Sequence, residues 1–174
     1  KLEEEGSNAV VTIPFNTDAN VVVGTLNGQI VKDMERESVI LEIRTGQVTY
    51  TLPASQINID AVWEEIGKHV ELKDIKVSVK ISEPSEKTIK IVENTADKNN
   101  YQIMVEPVEF EITCSSEDKT VEVTKFSVYV ERLVAIPEGI DPYKITTAVI
   151  LNPDGTFSHV PTVITIIDGR CYAK

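Results

Sequence analysis

Apolar positions along this chain repeat mostly at a spacing of two. Ile75, Val77, Val79 and Ile81 alternate with Lys76, Ser78, Lys80 and Ser82, which predicts a strand with one dry and one wet face. Strands are also expected at Asn8–Phe15, at Val21–Val23 and at Val39–Ile43. Thr45-Gly46-Gln47 turns the last of these back into Val48–Leu52, which Pro53 ends. The period changes twice. Leu26, Ile30, Val31 and Met34 predict a helix over 26–36 with Thr25 as its cap. Ile59, Val62, Trp63 and Ile66 predict a second over 59–67, capped by Asn58 or Asp60 and stopped by Gly67. Beyond the Glu83–Lys87 turn, Ile89, Ile91 and Val92 read as a returning strand. Long strands follow over Tyr101–Cys114, interrupted by Pro107, and over Thr120–Ala135. Shorter ones are expected at Ile145–Leu151, Thr156–Val160 and Val163–Ile167.

The predicted class is mainly β and sandwich-like, with a small α+β portion at the front that contains two short helices. Composition agrees. Val (23), Ile (20) and Thr (16) supply about a third of the 174 residues, against 7 Leu and 8 Ala, and β-branched side chains fit a pleated surface. The expected organisation is a disordered lead over 1–7, an α+β subdomain over 8–97 and a β-sandwich-like subdomain over 101–174 that lacks its last strand. A single merged domain is the alternative. The abrupt end after Asp168-Gly169 suggests an excised fragment. The core is expected to include Val11, Ile13, Val22, Ile30, Met34, Leu41, Ile43, Tyr50, Leu52, Val62, Ile66, Val77, Val79, Phe110, Ile112, Val128, Val130, Val149, Leu151 and Ile164.

Charge narrows the partners. With 17 basic and 28 acidic residues the net charge is −11, which repels phosphate backbones and anionic lipid. No apolar run is long enough to span a bilayer. Neither nucleic acid nor a membrane is an expected partner.

Candidate chemistry is sparse. The two histidines, His69 after the second helix and His159 on a hairpin arm, read as structural and surface positions. The acid pairs Glu64/Glu65 and Glu109/Glu111 lie on exteriors, and 28 acids make such pairs inevitable. Asn152-Pro153-Asp154-Gly155, Glu138 with Asp141, and Asp168-Gly169 are candidate calcium loops, but turn grammar explains them better. Trp63 is expected in the core, while Tyr101, Tyr129, Tyr143 and Tyr172 are too dispersed to form a sugar-stacking strip. Cys114 shares the parity of Val108, Phe110 and Ile112 and should point inward. Cys114 and Cys171 are read as free thiols, with a disulfide between them as the alternative. No catalytic, cofactor-binding or metal-ligating residue is assigned, and no cofactor is expected.

Two long segments look familiar together. They run from Val21 to Val62, through Tyr50-Thr51-Leu52-Pro53, and from Lys125 to Lys174, through Asp154-Gly155-Thr156 and Val160-Pro161-Thr162. They resemble modules found just ahead of S-layer homology repeats in surface proteins of Gram-positive bacteria, over about residues 8–174. The resemblance implies a non-catalytic structural or spacer module of a secreted, cell-wall-associated protein. It implies an extracellular location at the cell surface or S-layer. Its partners would be other domains of the same protein or neighbouring copies in a surface layer. A carbohydrate-binding module for wall or plant polysaccharide is the alternative. The repeats themselves are absent from this chain.

Overall fold

A computed structural model describes residues 9–17, 19–117, 119–152 and 154–174. The expected lead over 1–7, Asn8 of the first strand, and Pro153 lie outside them. Strands make up 39% and helical segments 24%, so the chain is mainly β. It divides into two compact units. The first comprises the residues up to Ile81 together with Phe110–Glu131; the second comprises Ser82–Glu109 and Arg132–Lys174.

In the first unit, β1 (Val10–Pro14) runs parallel to β3 (Ile40–Arg44), and β3 forms an antiparallel hairpin with β4 (Val48–Pro53). Leu41 faces Leu52 and Ile43 faces Tyr50, so alternate residues fill one face and are buried. A four-stranded sheet runs in the order β2 (Val21–Asn27), β5 (Lys76–Ser82), β6 (Glu109–Ser116), β7 (Lys119–Glu122). Its inner face carries Val22, Val77, Val79, Ile81, Ile112, Cys114 and Val121, all buried. The two sheets meet closely at Gly24, where an added Cβ would stand 2.8 Å from the Ile43 side chain. Tyr50 and Phe110 complete the packing with ring centroids 4.9 Å apart.

Helix α1 (Gly28–Arg36) follows β2 directly. Asn27, not Thr25, caps it, its side chain accepting from the Ile30 N–H at 2.9 Å. Starting at Gly28 turns Gly28, Val31 and Met34 inward and leaves Ile30 exposed, contrary to the expected core. Gly28 is required sterically: a Cβ there would lie 2.6 Å from the Leu72 carbonyl oxygen. Helix α2 (Ile59–Ile66) has Asn58 in the left-handed region as its cap and ends at Gly67, whose φ is 136°. Trp63 is only half-buried, and its indole N–H donates to the Val70 carbonyl at 2.7 Å. Among the described residues no helix is long and apolar enough to cross a membrane.

The expected strand over Thr120–Ala135 is broken. After β7 the chain is irregular until β8 (Glu131–Ala135). The cause is Gln56, whose buried Oε1 accepts from the Ser127 N–H (2.8 Å), the Ser127 hydroxyl (3.1 Å) and the Val128 N–H (3.4 Å). Donors that a ladder would need are taken, and Val128 points outward, not into the core.

The second unit contains the largest departure. The residues expected to form a returning strand belong to a third helix, α3 (Glu86–Lys98). Ser85 caps it through the Thr88 N–H at 3.2 Å. Thr88, Val92 and Ala96 recur at helical spacing on its covered side, opposite exposed Glu86, Lys90, Glu93 and Asp97. The β-branched Ile89, Ile91 and Val92 imitated a strand locally, but cap and spacing prevail. Residues 101–108 form no strand, since Pro107 has no N–H to donate, and β6 starts only at Glu109. A two-stranded ribbon pairs β9 (Ala148–Leu151) with β10 (Phe157–Val160); Val149 is exposed on it, also against expectation. β8, β12 (Arg170–Ala173) and β11 (Ile164–Ile167) lie side by side. Asp168 and Gly169, with φ of 50° and 80°, make the β11–β12 turn.

Candidate functional site

In the first unit the ionisable side chains near the helices form a clasp. Glu35 of α1 accepts from the Ile59 N–H at 2.8 Å, serving an otherwise unpaired donor in the first turn of α2. Lys32, one turn away, lies 3.9 Å from Glu35 and pairs with Asp60. Burial pushes the Glu35 carboxyl above its ordinary value, opposed by the Ile59 hydrogen bond and the Lys32 charge.

Several of the other polar residues singled out from the sequence do structural work too. His69 is exposed, with its ring against the Gly67 backbone. Glu64 pairs with Lys68 at 2.7 Å along α2, Lys119 donates to the Glu65 carbonyl, and Glu111 pairs with Lys80 across neighbouring strands. Asp141 accepts from the Tyr143 N–H at 3.0 Å and starts a short helical turn. One Asp154 oxygen accepts both the Thr156 N–H (2.9 Å) and its hydroxyl (2.6 Å), which lowers its pKa. Glu109, Glu138 and Asp168 lie apart at separate turns and strands. Among the described residues no three His, Cys, Asp or Glu side chains converge as a metal-holding group.

Both cysteines are free thiols. Cys114 is fully buried, and desolvation pushes its thiol up to about 11; Cys171 is half-buried on β12.

One assembly was not visible in the sequence. In the second unit Tyr101, Phe157 and His159 stand edge to face, with centroids 5.5 to 6.0 Å apart. The Tyr101 hydroxyl and His159 Nε2 are 3.3 Å apart, and His159 Nδ1 is 3.3 Å from the Thr147 hydroxyl. Tyr101 and His159 remain exposed. The sequence separation of 58 residues hid the cluster, because only the packing of α3 beside the β9–β10 turn delivers Tyr101 there: Thr95 donates to the Gly155 carbonyl at 3.4 Å. The remaining tyrosines stay dispersed. Tyr129 and Tyr143 are almost fully exposed, and the Arg170 guanidinium carbon lies 5.8 Å from the centroid of the Tyr172 ring.

In the first unit an open groove of about 370 Å³ lies at the start of α1, lined by Thr25, Leu26, Asn27, Ile30 and Lys73–Lys76. Asn27 is committed to its cap, and Lys73 is paired with Glu71 at 2.6 Å.

Fold and side chains define a mainly β protein in two units, in which many of the singled-out polar groups serve caps, turns and ion pairs. No protein-family model matches the chain, and searches of curated proteins and of solved structures return no relative.

Proposed function

We propose that this chain is a non-catalytic structural module of a secreted, wall-associated surface protein of the S-layer type. What supports the reading is the use of its polar residues. Asn27, Glu35, Asn58, Ser85, Asp141 and Asp154 each accept a backbone N–H, so side chains of the kind that build reactive sites are spent on holding helices and turns. The resemblance to modules preceding S-layer homology repeats supplies the setting. A net charge of −11 keeps exposed copies soluble. Antibodies raised against the chain should label intact cells of the source. Labelling only after permeabilisation overturns the reading.

A carbohydrate-binding role is the second reading, and the Tyr101–Phe157–His159 cluster is the observation that favours it. Retention on insoluble wall or plant polysaccharide, lost in Tyr101→Ala, supports it; no retention removes it.

A further inference from the structure

Strand β2 ends the four-stranded sheet, and among the described residues no strand pairs with its outer side. An edge of this kind presents backbone N–H and C=O groups that complement another extended strand, and proteins ordinarily blunt it with charge, proline or shortness. The other edges are blunted: β1 ends in Pro14, β7 carries Lys119 and Glu122, and β9, β10 and β11 have four residues each. β2 has seven residues, Val-Val-Val-Gly-Thr-Leu-Asn, with neither charge nor proline. Its outward Val21 and Val23 are 52% and 42% exposed.

We propose that this edge pairs antiparallel with β2 of a second copy of the chain about a two-fold axis normal to the sheet. Symmetry and charge point to a second copy as the occupant. A two-fold makes an edge its own complement, hydrogen bond for hydrogen bond. It sets Val21, Val23 and Thr25 of one copy beside the same residues of the other, covering the exposed apolar positions. The charge also permits it: each copy carries −11, so close approach requires a stretch free of acids, and residues 19–31 contain no charged side chain. The product is a continuous eight-stranded sheet. One strand edge buries little area, so the dimer is weak and concentration-dependent. Its setting in a surface layer rests on the function proposed above; the pairing itself does not.

Sedimentation equilibrium of the whole chain across a wide concentration range, with amide hydrogen exchange, tests the pairing. A reversible dimer is expected, in which the amides of residues 21–27 that point away from β5 are protected at high concentration only. Val23→Lys should abolish it with unchanged circular dichroism, whereas Ile166→Lys on β11 should leave it intact. If Val23→Lys alters the fold, the exchange pattern of the unsubstituted chain decides. A monomer at every concentration, a dimer that survives Val23→Lys in a folded protein, or protection elsewhere overturns the proposal. A dimer in a protein absent from the cell surface removes the proposed function and leaves the pairing standing.

Discussion

Glu35 carries an opposition of forces at a single residue. Its carboxylate completes the first turn of α2, yet burial disfavours its charge. Because its folded pKa lies above the ordinary 4.5, the folded state holds the proton more tightly than the unfolded one. Its ionisation therefore subtracts stability as pH rises through the window above 4.5. Glu35→Gln retains an acceptor and has no charge to desolvate. In urea melts its stability relative to the parent should climb across that window and then level off. Glu35→Ala loses the acceptor and should cost about 1 kcal/mol. Gly28 is the steric counterpart. An added Cβ meets the carbonyl oxygen of Leu72, which cannot rotate aside, so Gly28→Ala should cost roughly 1–3 kcal/mol by thermal melting. Cys114 and Cys171 should separate kinetically. At neutral pH a maleimide reacts with Cys171 first, and with Cys114 only as the chain unfolds, because that thiol is buried and held protonated. Cys114 was legible from strand parity; Glu35 was not, since its partner lies 24 positions away on another helix.

The loop over 123–130 and helix α3 show how elements escape a reading by local pattern. Four valines in Val121–Val130 spell a strand, but Gln56, more than seventy positions earlier, supplies the acceptor that holds Ser127 and Val128 out of a ladder. Gln56→Leu removes that acceptor from the Ser127 and Val128 amides. It should cost about 1 kcal/mol and speed amide exchange at 127–128 selectively. In α3 the information was local and misjudged: a serine cap and a period of four outweighed three β-branched residues. Ser85→Ala should lower stability by about 1 kcal/mol, with loss of helical signal in circular dichroism. Where cap, period and stop agreed, as in α2 and the β3–β4 hairpin, element and register were both legible.

For the whole molecule, charge and edge act against each other. Two copies of −11 repel over a Debye length that shrinks to about 3 Å at 1 M salt. Association through an uncharged edge should therefore strengthen as salt is added, whereas an ionic interface would weaken; sedimentation at low and high salt separates them. The sequence by itself determined the mainly β class, the presence of helices α1 and α2, the β3–β4 turn and the inward residues of β3, β4 and β5. Each rests on forces acting within a few residues: χ1 stiffness, alternation, capping and positive φ. Tertiary structure alone decided which distant groups meet, namely Glu35 with Ile59, Gln56 with Ser127, and Tyr101 with His159, and which strand is left at an edge. The reason is that an N–H or O–H donates to any well-placed oxygen wherever it lies in the chain, and a strand's neighbours are set by how sheets stack, not by its own side chains.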